Sequence, residues 1–126
     1  MKNKILKFLL LVVFVNSIQA KNWTITPSNT AQDEIQEALI LAEPGDIVFL
    51  SKGIYQLDHG LSLDVDNVSI IGEGMYETVL NFSNQETGAQ GLLVTSDNVL
   101  MQDFAIEGVS TTSCLGKPDS CRVREN

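Results

Sequence analysis

Short β-branched runs set between glycine or Asp/Asn corners, two self-similar stretches, and a single amphipathic helix ahead of them predict the fold class. It is all-β, a parallel β-helix solenoid of about three coils with an N-terminal amphipathic capping helix. Self-similarity carries most weight. Residues 47–55 align with 68–76 at an offset of 21, which sets Gly53 on Gly74 and Tyr55 on Tyr76. Residues 61–68 align with 92–99 at an offset of 31, and the Asp-Asn-Val triplet recurs intact. Offsets of roughly 20 to 30 residues suit one solenoid turn with loops of varying length at its corners.

The first twenty residues stand apart. Lys2, Lys4 and Lys7 form a basic start, residues 8–15 are uninterrupted apolar, and a more polar stretch ends at Ala20. This is the layout of a secretory signal cut after Ala20. Eight apolar residues fall far short of the roughly 20 that cross a bilayer, so a membrane-spanning helix is not expected. The expected location is the periplasm or the exterior. Removing this segment takes the formal charge from −8 to −11. Such a surface repels nucleic acid and anionic lipid, and it is compatible with cations, neutral sugars or Ca²⁺-bridged polyanions.

Element by element, an extended stretch at 23–26 ends at Pro27. A helix over 31–42 follows, its stripe drawn by Ile35, Ala38, Leu39 and Ala42. Thr30 is its expected N-cap, and Asp33 and Glu34 complement the helix dipole. Glu43-Pro44-Gly45-Asp46 stops it. Strand runs are expected at 47–50, 53–55, 61–63, 68–71, 78–82, 91–94 and 99–101, each three to five residues. Asn67 and Asn98 are the expected sharp corners, because Asn tolerates a left-handed backbone. A small sandwich of antiparallel hairpins is the rival; its preferred Asn-Gly and Asp-Gly turns occur nowhere in the chain. The exposed first coil of a solenoid is an apolar edge, and the helix is placed to cover it.

The helix stripe, the Pro-Gly-Asp turn, Lys52-Gly53-Ile54-Tyr55, residues 68–74 ending Gly72-Glu73-Gly74, and Thr78-Val79-Leu80 resemble the opening segment of a known superfamily. It is the right-handed parallel β-helix superfamily that includes pectate lyases and related polysaccharide-acting proteins. The resemblance spans about residues 31–107. It implies a right-handed coil and a polysaccharide partner, acidic in the lyases, whereas lyases, hydrolases, epimerases and members without established activity all share this segment. Domain organisation is thus 1–20 signal, 21–107 cap and first coils, and 108–126 a non-repeating tail. Because such proteins run to many coils, the tail is read either as a disulfide-closed cap or as the aberrant end of a truncated front portion, with the second preferred. Cys114 and Cys121, with six residues between them, would close that disulfide in an oxidising compartment.

Lyases of this kind hold Ca²⁺ on acids at strand ends and use Arg or Lys as base. The candidate carboxylates are Asp64, Asp66, Asp97 and Asp103, and stacking of Asp66 on Asp97 would create a Ca²⁺ site. Each also has an ordinary reading as a corner residue capping its own backbone. Lys52 and His59 lie in turns, Lys117, Arg122 and Arg124 in the tail, and Trp23 and Tyr55 are the aromatics a sugar ring could stack on. Asn-x-Ser/Thr sequons stand at Asn22, Asn67 and Asn81. The chain on its own is expected to be inactive. A non-enzymatic binding or structural module and a non-functional truncated product are the other readings.

Overall fold

The computed structural model describes residues 19–109. They form one helix, α1 (Ala31–Leu41), and nine strands. In chain order these are β1 (Asn22–Ile25), β2 (Ile47–Leu50), β3 (Gly53–Gln56), β4 (His59–Leu63), β5 (Ser69–Ile71), β6 (Thr78–Asn81), β7 (Thr87–Val94), β8 (Leu100–Gln102) and β9 (Ala105–Glu107). Every strand pairing is parallel. The first sheet has the order β1-β2-β5-β8, the second β3-β6-β9 and the third β4-β7. From β2 onward the chain visits first, second and third sheet, then repeats that order. Between β1 and β2, where later passes place strands of the second and third sheets, it places α1 instead. The fold is therefore all-β with parallel sheets and one short helix.

Register fixes which side chains meet. Trp23, Val48, Ile70 and Met101 are successive partners across the first sheet. Tyr55, Leu80 and Ile106 are partners across the second, and Leu61 and Leu63 face Leu92 and Val94 across the third. Val48, Leu50, Tyr55, Leu57, Leu61, Leu63, Val68, Ile70, Leu80 and Phe82 are fully or almost fully buried, and the helix adds Ile35, Ala38 and Leu39. The period-2 burial of β2, β4 and β6 sends alternate side chains to this common core.

The offset of 31 holds through β4 to β7 and on to β5 and β8, where Ser69 faces Leu100. The offset of 21 does not. Ile47 faces Ser69, an offset of 22, and Gly53 faces Thr78, an offset of 25. Because strand side chains alternate, a slip of one residue would set Val48 against Ser69 and turn the apolar face outward. Gly53-x-Tyr55 is consequently not equivalent to Gly74-x-Tyr76. Tyr55 is buried, whereas Tyr76 is 88% exposed on the connection between β5 and β6. The Gly-x-Tyr likeness arises from an inserted turn that mimics a strand start.

The helix ends where expected, with Ala42 as its C-cap. Thr30 takes the N-cap position, yet its hydroxyl donates to the Glu34 carboxylate at 2.6 Å and caps no backbone group. Its docking is specific. The Gln36 amide donates to the Ser62 carbonyl at 3.1 Å and accepts its N–H at 3.0 Å. One turn earlier the Gln32 carbonyl accepts the Asp58 N–H at 2.7 Å, and its amide nitrogen donates to the His59 carbonyl at 3.4 Å. Two glutamines at i, i+4 thus act as a surrogate strand for β4, whose unpaired peptide groups would otherwise form a pairing edge.

Candidate functional site

Three of the four candidate acids, Asp64, Asp66 and Asp97, line one corner, between the third and first sheets. Asn67 and Asn98 have φ of 59° and 56°, the left-handed conformation expected of them. Gly45, with φ of 100°, precedes β2 by the interval that separates Asn67 from β5. Backbone bonds join the three: the Gly45 N–H donates to the Asn67 carbonyl at 2.7 Å, and the Asn67 N–H to the Asp97 carbonyl at 3.1 Å. At this corner Asp64 Oδ1 accepts the Thr95 hydroxyl at 2.7 Å, and Asp66 Oδ1 accepts the Asp97 N–H at 2.8 Å. Both bonds span 31 residues, so each carboxylate fastens one pass of the chain to the next. Asp66 thus caps a backbone group one pass away, while Asp64 binds a side chain. Asp66 and Asp97 are joined through a carboxylate-to-backbone-amide bond.

Asp103 sits apart from them at the corner between β8 and β9, with φ of 62° and its carbonyl accepting the Gly74 N–H at 2.7 Å. Gly72 makes room for that carbonyl; a Cβ there would lie 2.2 Å from the Asp103 oxygen. Lys52 uses its backbone N–H to bind the Glu73 carboxylate. Beside this turn Thr78 is fully buried, accepting the Glu73 N–H at 3.0 Å and donating to the Leu50 carbonyl at 3.3 Å. His59 is exposed and serves through its backbone. The Tyr55 hydroxyl lies 2.9 Å from the Ile25 carbonyl and 2.8 Å from that of Ser51. Burial, then the charges of Glu73 and Glu34, push its pKa up to about 12. Tyr55 is accordingly a core strut and no stacking platform for a sugar. Trp23 is engaged too: its indole N–H donates to Asp46, and the Lys21 ammonium lies 3.4 Å above its ring.

The most elaborate polar site was assigned only to a turn. Asp46 is 4% exposed and accepts three hydrogen bonds. Oδ1 takes the Lys21 N–H at 2.8 Å, while Oδ2 takes the Glu43 N–H at 3.0 Å and the Trp23 indole at 3.2 Å. The Glu43 and Lys21 N–H groups hold its pKa below the ordinary carboxylate value, against the opposing pull of burial. Continuing the register back from Ile47 and Ser69, Asp46 stands where the next passes place Val68 and Val99. A carboxylate at a core position was the available signal: it directly precedes an apolar run whose later equivalents begin with valine.

Comparison with family models, curated proteins and solved structures gives no match. Chemistry must therefore be read from the side chains. Among the described residues no group of three or more His, Cys, Asp or Glu is arranged to hold a metal. Nor is any helix among them long and apolar enough to cross a membrane. Cys114, Cys121, Lys117, Arg122 and Arg124 lie outside the described residues, as does most of the proposed signal. At the acidic corner two hydrogen-bonded carboxylates and two left-handed asparagines stand alongside parallel strands.

Proposed function

We propose that the chain is the front portion of an exported right-handed parallel β-helix protein that acts on or binds an acidic polysaccharide, and that by itself it turns nothing over. What supports the coiled reading is the order of visits: from β5 onward each strand pairs in parallel with the strand one circuit earlier, in the same sequence of sheets. The sequence resemblance supports the polysaccharide. Export rests on the three-part leader ending at Ala20. Exposed apolar residues on the last described strands, Leu100, Met101 and Ile106, favour further coils in the functional protein.

Within this reading, binding is favoured over catalysis by the state of Asp64 and Asp66, which are both occupied in joining successive passes. A Ca²⁺ shared by Asp66 and Asp97 would bridge this net-negative chain to a polyanion. Incubation with polygalacturonate or alginate and Ca²⁺ should yield no unsaturated product. Retardation in a polygalacturonate gel should appear with Ca²⁺, vanish with chelator, and weaken on Asp66→Asn. Measurable unsaturated product would overturn the inactive assignment, and mobility indifferent to both polymers would overturn the polysaccharide.

A further inference from the structure

Asp46 is a charged group where the fold's own pattern asks for valine, and its three hydrogen-bond donors are neutral: two backbone N–H groups and an indole. The charged neighbours on the elements around it are the Lys21 side chain on the segment leading into β1 and Glu43 in the turn after α1; β5 contributes the Ser69 N–H to the Asp46 carbonyl at 3.0 Å. Burying a carboxylate on neutral donors alone is costly, and a formal positive charge in contact would lower that cost. One donor atom can acquire such a charge. The Lys21 nitrogen lies 2.8 Å from Oδ1, and the Lys21 carbonyl accepts the Ile47 N–H at 3.0 Å, so this residue is held from both sides. The residue before it is Ala20, small and exposed.

We infer that Asp46 is a binding site for the free α-ammonium group of Lys21, generated by hydrolysis of the Ala20–Lys21 peptide bond. This rests on the export reading, in which a peptidase that accepts a small residue cuts after Ala20. Water adds across the amide: Ala20 leaves with the new carboxylate, and Lys21 keeps the nitrogen, which takes up protons to become an ammonium. No oxidant or cofactor is involved. The nitrogen already occupies its bonding position, so a neutral N–H···O⁻ contact becomes a charge-assisted one with little rearrangement. Cleavage thereby tightens β1 onto β2 and onto the turn that ends α1, and the uncut chain remains the looser form.

The test is to express the full chain with its own leader in an exporting bacterium and to determine the N-terminus by intact mass and N-terminal sequencing. Lys21 is expected; an N-terminus elsewhere overturns the cleavage site. Melting is then compared between chains starting at Lys21 and at Ala20, each with Asp46 and with Asp46→Asn. The Lys21 form should melt roughly 5 °C higher than the Ala20 form, about what one extra charge-assisted bond gives in a domain this small. That gap should close in Asp46→Asn. Equal melting with Asp46 present, or a gap that Asp46→Asn leaves intact, overturns the ammonium site even where cleavage is correct. Should Asp46→Asn not fold, a ¹⁵N titration of the wild-type α-amino group decides: a pKa well above the ordinary ~7.7–8.0 supports the site, and an ordinary value overturns it.

Discussion

The two ends of the sheets are built from like residues with unlike outcomes. Val48, Ile70 and Met101 are register partners, and so are Tyr55, Leu80 and Ile106. Their exposures run 0%, 2% and 47% along the first series and 0%, 1% and 42% along the second. Local sequence does not distinguish the members. What differs is a neighbour: at the helix end β1 or α1 covers the first strands, whereas β7, β8 and β9 are the last described strands of their sheets. Among the described residues, burial is a property of stacking: a strand gains it from the neighbour laid over it.

That contrast can be broken. Leu80→Ala, inside the ladder, should cost about 3 kcal/mol in chemical denaturation, while Ile106→Ala, its outer partner, should cost about 0.5 kcal/mol or less. Comparable losses would mean the far end is as well packed as the near one. Next in size is the helix clamp. Replacing Gln32 and Gln36 together by Ala should cost about 2 kcal/mol, from some four hydrogen bonds partly replaced by water. It should also raise light scattering at high concentration, since the β4 edge becomes available for pairing. A double variant that scatters and melts like wild type would remove glutamine edge-capping from the account.

Tyr55 sharpens the comparison through pH. Its pKa is raised to about 12 by burial and by Glu73 and Glu34, so the folded state prefers the neutral phenol. The contribution is complete below the unfolded value of about 10 and is lost as pH rises through about 12. Alkaline denaturation should steepen in that window, and Tyr55→Phe should remove the steepening at a cost of about 1 kcal/mol at neutral pH. The smallest effect is at the corners: Asn67→Ala should cost about 1 kcal/mol and Asn67→Gly close to nothing, because only the alanine resists a φ of 59°.

Much of the fold was legible because its rules are local. The helix, its stop at residues 43–46, and the expected strand runs all recur as elements, and the Asn corners carry the left-handed backbone their chemistry invites. One strand, β9, went unread, since Ala105-Ile106-Glu107 is short and follows a corner made by Asp103, a residue less usual there. Register was half legible. Residues 61–68 and 92–99 keep their offset because the passage from β4 to β5 carries no insertion relative to that from β7 to β8. The 47–55 alignment is one residue out already in β5, where Ile47 faces Ser69, and four out by β6, where Gly53 faces Thr78, because a glycine and a tyrosine recur in the longer connection 72–77.

The polar sites were less legible for a different reason. Gln32, Gln36 and Thr78 act on backbone groups of residues 26 to 28 positions away, and no composition or period marks a side chain for that. Asp46 reads as a turn former from its neighbours. Only alignment with Val68 and Val99 exposes it as a charge in a core position, and that alignment needs the register the sequence left ambiguous.

Backbone NMR of the isotopically labelled chain tests parallel, in-register return most directly. Interstrand contacts of parallel type should join Leu61 to Leu92 and Leu63 to Val94, with Ile70 contacting both Val48 and Met101. Contacts of antiparallel type, or Val48 paired with Ser69 in place of Ile70, would contradict it.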